Sequence, residues 1–257
     1  MKFLKDDRLE AAQKEAEALC QRILASGLPA DAELIYSGRN RLYAIPLKCG
    51  VSANVKVFKQ PGALRGIIYG ALARPKSLKS FVNAEKLLSL EISTPAPLAH
   101  LEERVWKGIR LTRSLYVCVH DAEAEEIRCW ELREDRDELV EALGREMARL
   151  TAAGVLFRDF SPGNVLLKRD SGGGFTFVDV NRTDFNVRSG RRMMTMFRRI
   201  NIVPEETARL ARAYARALGE DEAAMEAAAL KVLRRFLWKK DVFLATLKKL
   251  IKPLHRK

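Results

Sequence analysis

The sequence predicts an α+β fold, with a small antiparallel-sheet N-lobe carrying one helix and a larger, mainly helical C-lobe. Three observations carry this. β-rich runs cluster between Glu33 and Phe58 and recur around residues 98–105 and 109–119. A helical pattern, KSLKSFVNAEKLLSL over 76–90, interrupts them. After Trp130 the pattern is helical, broken by two short apolar runs.

Each element has a local reason. Residues 6–26 read as a helix: Asp6 or Asp7 can cap it, apolar positions recur at Leu9, Ala12, Ala16, Leu19 and Ile23, and Gly27 ends it. ELIYSGRNRLYAIPL and VSANVKVFK read as three strands separated by Gly and Pro turn signals. TPAP at 94–97 stops the 76–90 helix before the two further strands. Leu139, Leu143, Met147 and Leu150 share a helical face that Gly154 closes. VLL (165–167) and FTFVDV (175–180), joined by KRDSGGG, read as a hairpin. Helical patterns fill the rest. The whole is read as one domain: an N-terminal helix (1–28), N-lobe (29–120), C-lobe (121–236) and basic amphipathic C-terminal helix (237–257).

The chain has 257 residues, with 46 Lys+Arg against 33 Asp+Glu and a formal net charge of +13. That balance points to an anionic partner. Cys20, Cys49, Cys118 and Cys129 show no C-x-x-C spacing, so reduced thiols are expected rather than a disulfide framework or a zinc site. The start MKFLKDDRLE lacks the apolar run of a signal peptide, and no spanning apolar stretch occurs. A cytoplasmic location follows as the expectation. Positive charge concentrates in RSGRRMMTMFRR (188–199), where an acceptor could dock, and in the C-terminal segment. There Phe243, Leu247, Leu250 and Ile251 share one face and Lys239, Lys240, Lys248, Lys249 and Lys252 enrich the remainder. Two readings of that segment stand side by side: peripheral docking on the inner face of the anionic cytoplasmic membrane, and packing on the large lobe with a solvated lysine face. A nucleic-acid partner is not expected, since no recognition motif or aromatic stacking strand accompanies the charge.

Transfer of a phosphoryl group to a hydroxyl needs a carboxylate to take the proton, oxygen ligands for Mg²⁺ and a cation on the nucleotide phosphates. LFRDFSPGNVLL (156–167) places Asp159 and Asn164 at the D-x-x-x-x-N spacing of a kinase catalytic loop, with a short apolar strand after it. Asp179 ends the second apolar run, where a kinase carries its main metal-binding Asp. Lys56, on one strand face with Phe58 while Val55 and Val57 take the other, is the candidate cation; Lys59 is its rival. SGRN (37–40), containing Gly38 and Asn40, is the candidate nucleotide-covering turn, with only one glycine.

From about residue 30 to 240 the sequence resembles the lipopolysaccharide kinase (Kdo/WaaP) family of protein-kinase-like enzymes. The resemblance runs through IYSGRN, NVKVFK, TPAPLAHLE and TRSLYV, and is strongest in RDFSPGNVLL and FVDVNR. It implies a protein-kinase-like two-lobed fold and ATP-dependent phosphorylation of a Kdo or heptose sugar in the lipopolysaccharide inner core. It also implies Asp159 as catalytic base, Asn164 and Asp179 as Mg²⁺ ligands, and Lys56 as the α/β-phosphate lysine. Two positions depart from the family. Phe157 stands where a His is usual, and Val82 aligns with the acid that partners the lysine, so Glu85, one turn later, is read as the partner of Lys56. Val180 and Asn181 after Asp179 agree with it. The same residues would serve a protein kinase or another small-molecule kinase, and the departures leave room for a non-catalytic pseudokinase.

Overall fold

The computed structural model describes residues 6–168, 174–200 and 203–251. The chain forms two compact units, residues 1–125 with 166–182 and residues 126–165 with 183–257. The sequence expectation had ended the first lobe at residue 120 and assigned the 165–180 hairpin to the second.

The first unit opens with α1 (Asp6–Ser26), followed by β1 (Glu33–Ser37), β2 (Arg41–Pro46), β3 (Ser52–Val57), α2 (Ala63–Ile67), α3 (Lys76–Ser89), β4 (Pro97–Val105) and β5 (Arg110–Val119). The strands make one antiparallel sheet in the order β1-β2-β3-β5-β4. Alternation along the strands sends Ile45, Ala53, Val55 and Val117 to one face, where the stripe Ala12, Ala16, Leu19 and Ile23 of α1 covers them. Polar ties fix α1 in place. Glu15 accepts the Lys48 and Cys49 amides at 2.6 and 2.9 Å, and Arg113 donates to the Leu24 carbonyl at 2.7 Å. The other sheet face carries Phe58, Tyr116 and Cys118, packed with Phe81 of α3.

One element has no counterpart in the sequence reading. α2 and the π-helical turn that continues it (Ile68–Leu72) contain Gly66 and Gly70, residues that ordinarily argue against helix. Both glycines lie where a side chain has no room. A Cβ on Gly70 would sit 2.0 Å from the Ile109 carbonyl oxygen, and one on Gly66 2.7 Å from that of Leu111. Close backbone approach to β5 is what the glycines permit.

Beyond β5 come β6 (Glu125–Glu126), α4 (Arg136–Ala152), β7 (Leu156–Phe157), β8 (Val165–Leu167), β9 (Phe175–Phe177), β10 (Thr183–Asp184), α5 (Gly190–Met193), α6 (Pro204–Leu218) and α7 (Glu222–Ile251). β8 and β9 are neighbours, as the hairpin reading requires, though its turn at 169–173 lies outside the described residues. In the second unit α4 packs on α6, and α6 on α7. Leu143, Met147 and Leu150 of α4 are fully buried, and Gly154 turns the chain out of the helix at φ 67°. α7 is a single 30-residue helix, so the expected boundary at residue 237 is not a break; no Gly or Pro occurs between Glu222 and Ile251 to make one. The side chains of residues 243–257, which carry most of the expected basic amphipathic face, lie outside the described residues. No helix among the described residues is long and apolar enough to cross a membrane.

Two predictions arise from the packing. A Cβ on Gly144 of α4 would stand 2.6 Å from the Leu210 carbonyl oxygen and 2.8 Å from the Ala213 Cβ of α6. Gly144→Val is therefore expected to destabilise the protein by about 1–3 kcal/mol, read as a lowered urea midpoint. Burial pushes the thiols of Cys20 and Cys118 up to about 12, whereas Cys129 is exposed. A thiolate-directed reagent at mildly alkaline pH should label Cys129 in the native protein and reach Cys20 and Cys118 only after denaturation, as peptide mapping would show.

Candidate active site

Within the first unit, strand alternation sends Lys56 to the face opposite the α1 core. Its ammonium lies 5.4 Å from the centre of the Phe58 ring, and its side chain is only 12% exposed. A charge that far from water needs a counter-charge. The amine donates to Oδ1 of Asp179, and the two form an ion pair. Asp179 follows β9 with a left-handed backbone, φ 55°, a conformation that Asp tolerates better than most residues. The 3₁₀ turn after it (Val180–Arg182) brings Asn181 back, so that its amide donates to the same Oδ1 at 2.5 Å.

The turn is held from two directions. Asn83 of α3 donates to the Val180 carbonyl at 2.8 Å, and the Phe177 amide donates to the Ser93 carbonyl at 2.9 Å. Cations gather around the carboxylate. Lys76 has its ammonium pKa lowered, first by burial and then by Arg39 and Arg182, with Asp179 opposing. A cavity of about 430 Å³ opens beside the β1–β2 turn, lined by Arg39, Asn40, Lys59, Arg65 and Lys76 among others. Asn40 accepts the Lys59 amide at 3.2 Å, and the Tyr36 ring folds against Gly38.

Within the second unit, β7 leads into the loop that carries Asp159. Phe157, paired with Thr183 of β10, is buried with its ring 6.4 Å from that of Phe160. The position that departs from the family thus serves packing here. Past Asp159 the chain bends tightly. The Ser161 amide donates to the Asp159 carbonyl at 2.9 Å, and Pro162–Asn164 form a 3₁₀ turn. The Asn164 side-chain amide then donates to the same carbonyl at 2.8 Å, which ties the two motif residues together. Arg199 forms an ion pair with Oδ1 of Asp159.

The structure thus joins Lys56 to Asp179 and Asp159 to Asn164. It does not join Lys56 to Glu85. Val82 and Glu85 are both exposed, and Glu85 acts electrostatically on Tyr116, which pairs with Lys56 across β3 and β5. The buried stripe of α3 is Ser77, Ser80, Ala84 and Leu87, and Asn83 falls beside it. Asn83, not an acid, is the α3 residue that reaches the Asp179 turn, and the 3.6-residue period of the apolar positions was the signal that could have found it. Asn181, Lys76 and Arg199 were also missed as site residues. Asn181 lies inside a quoted motif, and Arg199 ends the basic segment 188–199, whose pairing with Asp159 no local pattern announced.

In the first unit both described donors to Asp179 meet Oδ1, which leaves Oδ2 to accept a cation. In the second unit the Asn164 side-chain nitrogen is committed to the Asp159 carbonyl, which leaves its Oδ1. No cluster of three or more His, Cys, Asp or Glu able to hold a metal occurs among the described residues. A cation that takes its other ligands from phosphates and water needs no such cluster.

No family model and no curated protein sequence matches the chain. Solved structures do. WaaP, in complex with acyl carrier protein, superposes with a TM-score of 0.54 at 18% identity, covering 84% of this chain and 96% of that one. The amicoumacin kinase hAmiN, in complex with AMP-PNP, Ca²⁺ and Ami, superposes with a TM-score of 0.56 at 12% identity, covering 98% and 97%. At these identities the likeness is one of fold, and it agrees with the element order, the five-stranded sheet and the helical second unit: this chain has the protein-kinase-like fold.

Proposed function

We propose that the protein is an ATP-dependent phosphotransferase whose acceptor is a Kdo or heptose sugar of the lipopolysaccharide inner core. The observation that carries the catalytic part is the Lys56–Asp179 ion pair, set in a cluster of cations on a turn braced by Asn83 and Asn181. A kinase uses this pair of residue types to hold nucleotide phosphates and metal. In this reading Lys56 neutralises the α/β-phosphates, and Asp179 with Asn164 supplies oxygen ligands to Mg²⁺. Mg²⁺, when bound with ATP, offsets the charge that develops on the β/γ-phosphate oxygens. Asp159 orients the acceptor hydroxyl and takes its proton as the oxygen–phosphorus bond forms and the bond to the β,γ-bridging oxygen breaks. Arg199 fixes the Asp159 carboxylate in one rotamer. Gly38 and Asn40 cover the nucleotide, and the cations Arg39, Lys59 and Arg65 favour a polyanionic ligand beside it. ATP as donor places the enzyme on the cytoplasmic side.

The acceptor rests on the RDFSPGNVLL and FVDVNR motifs and on the fold shared with WaaP. A second reading, a small-molecule kinase with a different acceptor, draws on the likeness to hAmiN, which covers 98% of this chain. Transfer of labelled γ-phosphate to purified deacylated lipopolysaccharide core, run beside generic protein acceptors and amicoumacin, separates them. Label on the core alone supports the proposal. Label only on another acceptor rejects the sugar assignment, and nucleotide binding without transfer to any acceptor rejects the enzyme.

A further inference from the structure

Large apolar side chains of the first unit are exposed at several places, Leu34, Ile35 and Tyr36 of β1 among them, and most fully on one helical turn. On α2 and its π-helical continuation, Leu64, Ile68 and Leu72 are 74%, 40% and 81% exposed. They recur every four residues and form a stripe on the outer side, opposite the glycines that press on β5. The tip of the β4–β5 hairpin adds Trp106 at 58% and Ile109 at 49%. The two segments are held together. Gly70 lies against the Ile109 backbone, and Arg104 donates to the Gly70 carbonyl at 2.8 Å. The stripe and the tip are therefore carried on adjoining segments of the same unit.

The charges around it are mostly basic. Residues 59–84 contain Lys59, Arg65, Arg74, Lys76 and Lys79 and no acid. The hairpin tip carries Arg104, Lys107 and Arg110, while Glu103 beside it is paired with Arg113. The Arg110 guanidinium stacks 5.1 Å from the centre of the Trp106 ring, so aromatic and cation sit together at the tip. An aliphatic stripe, a neighbouring indole and a rim of long basic side chains match the two layers of a bilayer boundary, acyl chains beneath anionic headgroups. We propose that the α2 helical turn and the β4–β5 tip form a docking surface for an anionic lipid membrane, with Leu64, Ile68, Leu72 and Trp106 entering the headgroup–acyl boundary and the surrounding Lys and Arg meeting lipid phosphates. This surface is distinct from the C-terminal basic segment, and it does not depend on which acceptor the enzyme uses.

The test uses the full chain and co-sedimentation with two kinds of vesicle, phosphatidylcholine alone and phosphatidylcholine mixed with phosphatidylglycerol. Binding is expected only to the mixed vesicles and should weaken with salt. The variant Leu64→Ser/Leu72→Ser/Trp106→Ser keeps every cation and alters only exposed side chains. It should lose about tenfold or more in vesicle affinity while its thermal midpoint stays that of the parent. In a second measurement Trp130→Phe/Trp238→Phe leaves Trp106 as the sole tryptophan, and brominated lipid in the mixed vesicles should quench its fluorescence. Parent-like sedimentation of the serine variant overturns the proposal. So does an unquenched Trp106 on bound protein, which would put the contact at another surface, and so does failure to bind either vesicle, which would leave an acidic protein to cover the patch.

Discussion

Asp159→Asn is expected to lower phosphotransfer turnover by about 10²–10⁴-fold while leaving nucleotide affinity nearly unchanged. Asn is close in shape, and its oxygen can still accept from Arg199, so the loop that is closed by the Asn164 and Ser161 bonds to the Asp159 carbonyl should survive. What disappears is a group able to take the acceptor proton. The split between an intact Kd for AMP-PNP and a depressed kcat marks loss of a chemical role rather than of folding. Turnover equal to the parent would remove Asp159 from the reaction.

Asp179→Asn should fail differently, in binding as well as turnover. The substitution removes the charge that Lys56 pairs with and an anionic oxygen that a divalent cation would take. A loss of at least about 10²–10³-fold in turnover is expected. Nucleotide affinity should lose its dependence on Mg²⁺ concentration, which Asp159→Asn should keep. The fold should persist. Lys56 is 12% exposed but Asp179 is 33% exposed, so the stranded amine retains a path to water. The stability cost should stay near the ~1 kcal/mol of an exposed pair rather than the ~3–5 kcal/mol of a sealed one. Isothermal titration with AMP-PNP at several Mg²⁺ concentrations, beside a thermal melt of the same variant, checks both halves of this expectation.

The elements of the fold were legible wherever pattern and stop signals agreed. Residues 6–26 have an apolar stripe, Asp at the start and Gly27 at the end, and the helix occupies those residues. The sheet was legible because Gly and Pro separate its β-rich runs. The α2 turn was not, because Gly66 and Gly70 read locally as breakers and their reason is the β5 backbone, more than forty residues on in sequence. The same contrast holds at the site. Asp159, Asn164, Asp179 and Lys56 stand in short motifs whose spacing suggests the roles proposed for them. Glu85 is exposed and makes no ion pair with Lys56, and Asn83 is the α3 residue that reaches the Asp179 turn. Arg199 pairs with Asp159 across 40 residues, a separation at which no local pattern can act.

The first unit is not one run of chain; it borrows residues 166–182 from beyond the start of the second. On a ribosome that has released only the first 125 residues, the sheet and α1 can already meet, but Lys56 has no carboxylate and the Ser93 carbonyl has no amide to receive. Both wait until synthesis has passed Asp179. A fragment cut at residue 125 would carry that vacancy permanently. It would lack the bond from the Phe177 amide to the Ser93 carbonyl and the ion pair at Lys56, so a screen for a minimal expressible piece should cut elsewhere or graft the hairpin back.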